Sequence, residues 1–270
     1  MKISIMGTRG IPARYGGFET LAEEVGTRLA RAGHEVTVYC RRRYHIPGTN
    51  PYQGVTLIVL PTIPSKYFDT VIHTFLSVVH NILFRKTDAV LLCNSANAVF
   101  IPFLRLFRRH VVINVDGLEW KRKKWNMFGK MWYLAGERLA VFFAHRIVTD
   151  SRTIETYYLE KYGTQTVFIP YGAATDCDAD DRCLERFSLA KNKYILYVGR
   201  LEPENNADAV IRAFNRVPHQ GVKLAVVGDA PYSDAYIRQL KEIAGPDVVF
   251  CGGVYGAPYR SLLSHALFCV

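Results

Sequence analysis

The chain has 270 residues, 49% of them apolar and 21% charged, so it is globular and long enough for two domains of ordinary size, and disorder and low complexity are excluded. A formal net charge of +10 and a pI near 9.3 call for an acidic partner, which leaves nucleotide phosphates, an anionic membrane surface and nucleic acid all open.

In chain order, "MKISIMG" reads as a short strand running into glycine, too brief for the apolar core of a signal peptide, so the chain is expected to start inside its fold and inside the cell. "YGGFETLAEEVGTRLARAG" reads as a loop entering an amphipathic helix, and "HEVTVYCR" and "VTLIVLP" as strands. The longest apolar segment, Tyr67 to Phe84, contains Asp69, His73, His80 and Asn81, which argues against a free-standing membrane span. Its Val71, Phe75, Val78 and Ile82 recur at helical spacing, with His73, Ser77 and His80 on another face. The expectation is a helix with one wall on the core and a polar stripe toward a cleft.

Next come "DAVLLCN" as strand, "AVFIPFLRLF" as helix, "HVVINVD" as strand and a long helix from about Trp125 to Ala144. "HRIVTDS" (strand), "TIETYYLEKYG" (helix) and "TVFIPYG" (strand) complete one Rossmann-like layer of parallel strands. A hydrophilic bridge, "AATDCDADDRCLERFSLAKNK", leads to a second series: "YILYVGRL", "NADAVIRAFNRV", "VKLAVVGDA", "SDAYIRQLKEIA", "DVVFCGGV", "APYRSLLSHA" and a final "LFCV". The predicted architecture is two successive Rossmann-like α/β domains, 1–172 and 173–270, with ligands beyond the carboxyl ends of the strands in the cleft between them. The second domain is expected to be incomplete, because its last strand stops at Val270.

The six cysteines are scattered and read as reduced, mostly buried thiols. Only "TDCDADDRC", around Cys177 and Cys183, mixes thiols with carboxylates, and no histidine accompanies it, so no metal site is expected.

Three loops carry chemistry. In "GTRGIPARYGGFETLAEE", Gly7, Gly10, Gly16 and Gly17 surround a turn before a helix, and uncovered amides at a helix N-terminus can seat a phosphate. The spacing is not that of the dinucleotide-binding G-x-G-x-x-G, and the glycines also fit a plain sharp turn. In "VGRLEPENN", Arg200 is a fixed-charge fork suited to a diphosphate, or else a surface partner of Glu202 or Glu204, and Pro203 with Glu204 reads as the start of a helix. In "NVDGLEWKRKKW", Asp116 leaves a strand end where an acid can touch a sugar hydroxyl or act as a base, and Gly117 admits a ligand to the backbone. Lys121, Arg122, Lys123 and Lys124 suit phosphates or anionic lipid, and Trp120, Trp125 and Trp132 suit a sugar face or a membrane interface; a solvated charged face with packing tryptophans is the bland alternative.

Taken together, the Gly-rich first loop, "NVDGLEWKRKKW", "DS" followed by "YY", "YGA" at the domain junction and "GRLEPENN" resemble the GT4-type glycosyltransferases of GT-B fold. Within them the chain is similar to the bacterial rhamnosyltransferase-like subgroup with a DUF1972-type N-terminal domain. The resemblance covers the whole chain. It implies transfer of a sugar from a nucleotide diphosphate sugar, with retention and without a required metal or cofactor, to a hydroxyl of a lipid-linked or growing glycan. The implied donor is dTDP-L-rhamnose and the implied setting is cell-surface polysaccharide assembly at the cytoplasmic membrane face, with an anionic membrane surface as partner and no nucleic acid. By motif match, Gly16 and Gly17 approach the donor diphosphate from the first domain, and Arg200, with Glu204 and Asn205, binds it from the second. Asp116 lines the reaction centre, and Glu119, Trp120, Arg122, Lys124 and Trp125, joined by His73 from the polar helix stripe, form the acceptor side.

The chain departs from the broad family in two places. "PENN" puts Asn205 where many relatives carry a diphosphate-holding lysine, which leaves more of the charge to Arg200. The donor-gripping glutamate pair of the family, two glutamates separated by seven residues, would lie beyond Val270, so the sequence is expected to be a fragment rather than a degenerate copy. A non-catalytic sugar-nucleotide or membrane-surface binding protein would keep the same features. A 2-epimerase on the same scaffold would leave the Trp-rich cationic segment unexplained. A nucleic-acid binder would need its cations in one groove, whereas here they are spread over separate elements.

Overall fold

The computed structural model describes residues 1–14, 16–65, 68–122, 125–172, 182–230 and 233–270. The chain divides into two compact units, Met1–Gly172 and Ala173–Val270.

Unit 1 alternates strand and helix: β1 (Lys2–Met6), α1 (Gly17–Arg31), β2 (Glu35–Arg41), β3 (Thr56–Leu60), α2 (Phe68–Phe84), β4 (Ala89–Cys93), α3 (Ile101–Leu106), β5 (His110–Asn114), α4 (Met127–Phe143), β6 (Arg146–Thr149), α5 (Arg152–Tyr162) and β7 (Val167–Phe168). The seven strands form one parallel sheet in the order β3-β2-β1-β4-β5-β6-β7. Chain order reverses direction beside β1, which pairs Ile5 with Val38 on one side and with Leu91 on the other. That is the switch point at which an open parallel sheet opens a crevice beyond its strand ends.

The central strands read as unbroken apolar runs because both faces of the sheet are covered. One face sends Ile5, Val36 and Val38 against Ala22 of α1. The other packs Met6, Leu92, Val111 and Ile113 with Val78 of α2, Leu104 of α3 and Ala140 of α4. Each of the valine, leucine, isoleucine and methionine side chains, fully buried, contributes roughly 1.5–3 kcal/mol.

Unit 2 comprises α6 (Arg182–Arg186), β8 (Tyr194–Val198), α7 (Ala207–Arg216), β9 (Lys223–Val227), α8 (Asp234–Ile243), β10 (Val248–Gly252) and α9 (Ala257–Ser264). Its parallel sheet runs β10-β9-β8, with α7 and α8 on one face and α6 and α9 on the other.

Several boundaries differ from the sequence reading for local reasons. "AVFIPFLRLF" is a 3-10 segment, Ser95–Phe100, followed by α3, because Pro102 can occupy only a first helical turn. "TVFIPYG" shrinks to the two residues of β7 before Pro170. "LFCV" makes only a bridge, Leu196 to Cys269. Pro203–Asn205 is a separate 3-10 turn, cut off from α7 by left-handed Asn206. Among the described cysteines only Cys40 and Cys93 are buried, while Cys183 and Cys251 are half-buried and Cys269 is exposed; Cys177 lies outside the described residues.

The larger correction concerns α2. Of the stripe predicted to look into a cleft, His73 and Ser77 are fully buried, as are their neighbours Thr74 and Asn81, while His80 is half-buried. Asn81 donates to Ser4 Oγ and to Thr87 Oγ1, and the Ser77 hydroxyl donates to the His73 carbonyl. These bonds satisfy the Asn81 amide nitrogen and the Ser77 hydroxyl on the buried side, while apolar Phe75, Leu83 and Phe84 are exposed.

Candidate functional site

In unit 1 the carboxyl ends of the strands gather charged side chains from separate loops. Beyond β1, Gly7 has φ +91° and a Cβ there would stand 2.3 Å from the Cys93 carbonyl oxygen, so only glycine lets the loop cross β4 this closely. The loop then returns to α1, whose first-turn Glu19 is almost fully buried and accepts the Arg9 amide at 2.8 Å. Gly16, at the N-cap, is extended with φ −151°, a conformation open to any residue; a Cβ there would stand 3.0 Å from Glu19 Oε2. Gly17 has open space around its Cβ position. The helix entrance is therefore uncovered, as expected, but a carboxylate already sits in it, which disfavours a second anion.

Next to this loop, Arg41 at the end of β2 is buried and pairs with Asp69 of α2 at 2.5 Å, and its second nitrogen donates to Thr70 Oγ1 at 3.1 Å. Burial pulls the Arg41 pKa down, Asp69 opposes that, and the charges of Arg9 and Glu19 reach it as well. His73 packs against this pair with both ring nitrogens lacking a hydrogen-bond partner. Burial first, and the Arg41 charge second, push its pKa down to about 4, against a weaker pull from the Cys40 backbone. Fully buried, His73 presents no surface to an acceptor in this structure.

Asp116 sits past β5 with φ +57°, a left-handed conformation uncommon outside glycine, and its amide bonds to Asn114 Oδ1 at 3.1 Å. Gly117 beside it is open. Burial raises the pKa of the Cys93 thiol, and the Glu19 and Asp116 charges raise it further, so both carboxylates border the end of β4. Burial likewise raises the Tyr171 pKa, with added push from Asp116, Cys93 and Asp150. The charges of Glu19 and Asp116 thus reach Cys93, and those of Asp116 and Asp150 reach Tyr171.

The residues after Gly117 hold one another. Glu119 accepts from Arg122 at 2.8 Å and from the Trp125 indole at 3.1 Å, and Trp125 packs on Tyr133 with ring centroids 5.3 Å apart. The Trp120 indole donates to Tyr157, and Tyr157 and Tyr162 each donate at 2.8 Å to buried Glu137 of α4. Lys161 lies over the Trp120, Tyr157 and Tyr162 rings. Glu119, Trp120, Arg122 and Trp125 therefore form a scaffold for the Asp116 loop, and exposed Lys121 projects from it. Lys124 lies outside the described residues.

Unit 2 repeats the device at smaller scale. Gly199, Gly228 and Gly252 end β8, β9 and β10, joined by backbone bonds from Gly199 to Val227 and from Gly228 to Gly252. At Gly228 φ is +152° and a Cβ would lie 1.8 Å from the Gly199 carbonyl oxygen. Arg200 follows directly. Its carbonyl is bound by Asn205 Nδ2 at 2.6 Å, and Tyr197 holds the Asn205 carbonyl at 3.0 Å. Asn205 is thereby occupied in shaping the loop. Among the described residues no carboxylate pairs with the Arg200 guanidinium, neither Glu202 nor Glu204 included.

Sequence reasoning missed the Arg41–Asp69 pair and the three strand-end glycines; "VGR", "VGD" and "CGG" at the ends of successive apolar runs were the available signal for the latter. Among the described residues no group of three or more His, Cys, Asp or Glu side chains could hold a metal ion.

Comparison with protein families finds the domain of unknown function DUF1972 matching residues 1–174 and glycosyl transferases group 1 matching residues 184–270. No curated protein matches. Among solved structures, the fold resembles sucrose-phosphate synthase from Thermosynechococcus elongatus (TM-score 0.78, 19% identity, 99% of this chain and 74% of that one). It also resembles Anabaena HepE in complex with UDP and glucose (0.78, 16%, 100% and 73%) and UDP-GlcNAc 2-epimerase from Methanocaldococcus jannaschii (0.63, 11%, 100% and 78%). These identities speak to the fold alone, Rossmann-like units of the GT-B class.

Proposed function

The chain belongs to the family defined by the domain of unknown function DUF1972, and from that premise we propose that it moves a sugar from a nucleotide diphosphate sugar to a hydroxyl of a lipid-linked or growing glycan. Glycosyl transfer is the coarse activity supported by the group 1 match over the second unit. The finer reading is transfer with retention from dTDP-L-rhamnose, without a metal, in cell-surface polysaccharide assembly at the cytoplasmic face of the membrane.

The observation that carries it is Arg200, a guanidinium with no carboxylate partner among the described residues, placed beside glycine-lined strand ends. A diphosphate leaving group gains charge as the glycosidic bond breaks, so a fixed cation there stabilises the transition state more than the ground state. Arg200 is assigned to that diphosphate, with Glu204 and Asn205 shaping its loop. At the edge of unit 1, Asp116 is assigned to orient a sugar hydroxyl or to stabilise oxocarbenium character, and the open backbone at Gly16 and Gly17 to admit the sugar end of the donor. The acceptor hydroxyl attacks on the face the leaving group departs from and passes its proton to a leaving-group oxygen.

Calorimetric titration of dTDP, UDP and GDP into the full gene product tests this. Binding with preference for dTDP is expected, weakened by about 2–4 kcal/mol in Arg200→Ala. Preference for UDP or GDP would replace the rhamnosyl donor, unchanged affinity in the variant would remove Arg200 from the site, and binding of no nucleotide would leave a non-catalytic membrane-surface protein.

A further inference from the structure

Asp116 lies between two anchors. Downstream, the Glu119 amide binds the Gly117 carbonyl at 2.9 Å, and the Glu119 carboxylate accepts from Arg122 and Trp125. Upstream the anchor is a side chain. Asn114, the last residue of β5, is only 3% exposed, and its Oδ1 accepts the Asp116 amide at 3.1 Å. Its carbonyl accepts the Asn94 amide at 2.9 Å, so one residue joins the ends of β4 and β5. Val115 is buried and its amide goes to Val148 of β6 at 3.2 Å, which makes Asp116 the first residue past β5 to leave the core.

The residue type at 114 matters. Asp116 has φ +57°, and a residue other than glycine keeps such a conformation where its surroundings over-determine it. A side-chain oxygen that takes the amide two residues on closes a local turn, which asparagine and aspartate form well and serine and threonine more weakly. Aspartate would put a second carboxylate in a nearly closed position beside Asp116, whereas asparagine supplies the same acceptor without charge. The amide half of Asn114 is felt at Tyr171, where burial first, and then the charges of Asp116, Cys93 and Asp150, raise the phenol pKa and the Asn114 side chain opposes them.

The neighbouring strand shows what such a turn does when its use is structural. Asn94, one residue past β4, has φ +73°, and its Oδ1 accepts the Ala96 amide at 2.8 Å to start the 3-10 segment Ser95–Phe100. The Asn114 turn starts no helix, because the next helical turn, Glu119–Lys121, has Leu118 at its N-cap. What the Asn114 side chain fixes is Asp116 itself.

We propose that Asn114 is a positioning residue, whose side chain holds the backbone from which the Asp116 carboxylate is aimed at the reacting sugar. This rests on the reading of Asp116 given above and extends it to a buried residue that touches no substrate.

Two readouts on the full gene product test it. The first, amide hydrogen exchange, needs no turnover. In Asn114→Ala the Asp116 amide should exchange about tenfold faster than in the wild type while the other amides of β5 keep their rates, and Asn114→Ser should fall between the two. The second is release of nucleoside diphosphate from dTDP-L-rhamnose and from UDP-glucose, measured as a mutant cycle. Asn114→Ala should lower kcat about thirtyfold with the donor KM within about twofold of the wild type, and should cost nothing further in Asp116→Asn, since residues that act through one another are not additive. A wild-type exchange rate at Asp116 in Asn114→Ala overturns the proposal. So does exchange raised along the whole of β5, which would make Asn114 a residue of the fold only. Losses that add in the double variant, or a rise in KM alone, overturn it as well. If Asp116→Asn lowers kcat and Asn114→Ala does not, the positioning role falls alone; if Asp116→Asn turns over like the wild type, the reading of Asp116 falls and takes the positioning role with it.

Discussion

His73 shows how burial decides the chemistry of a residue. Its folded pKa of about 4 lies below the ordinary 6.5, so between those values the unfolded chain binds a proton that the folded chain refuses. This contribution to stability is whole above pH 6.5 and is lost as pH falls toward 4. Urea unfolding should show a loss of about 2 kcal/mol between pH 7 and pH 5 from this group, absent in His73→Leu; equal slopes in both proteins would mean that the ring is protonated inside the fold. Asp116 offers the opposite case. Its left-handed backbone suits asparagine as well, so Asp116→Asn should leave the loop in place. With a role in the reaction, turnover falls about a hundredfold while donor affinity holds; parallel losses in both would reduce Asp116 to a binding contact. The sequence pointed to Asp116 because an acid directly follows an apolar strand. It could not place His73, because the same helical spacing serves a polar stripe facing a cleft and one facing buried hydroxyls and amides.

At the scale of elements, α2 and α4 carry the lesson that periodicity gives a helix and its faces but not which face looks inward. On α2 the partners that settle it, Ser4 and Thr87, come from β1 and from the turn before β4. On α4, Gly136 and Glu137 adjoin but face different neighbours. A Cβ at Gly136 would stand 2.2 Å from the Ser95 carbonyl oxygen, so the helix is seated on the 3-10 segment by the absence of a side chain. Gly136→Ala should destabilise unit 1 by about 2–3 kcal/mol in urea despite the better helix propensity of alanine; a gain in stability would mean that α4 can move outward at little cost. Glu137 anchors the tyrosine cluster, where burial would lower the Lys161 pKa but the hydrogen bonds Lys161 donates to Tyr157 and Tyr162, with the Glu137 charge, hold it above its ordinary value.

At the scale of the molecule, the net charge of +10 acts as a field on anionic ligands. Nucleotide affinity should weaken as salt is raised past the point where the Debye length falls to about 10 Å, more than Arg200 alone explains, and a flat titration would confine the electrostatics to short-range contacts. The sequence by itself determined the alternation of strands and helices, the passage from one Rossmann-like series to the next and the loops that carry Asp116 and Arg200, because apolar period, glycine and chain order are local properties. Only the tertiary structure decided that Glu19 fills the mouth of α1, that Arg41 and Asp69 form a buried pair, that the Trp-rich loop holds itself together and that α2 buries His73, Ser77 and Asn81. Each of those depends on which distant side chain completes a buried hydrogen bond or ion pair, and the cost of leaving such a group unpaired is set by the assembled fold.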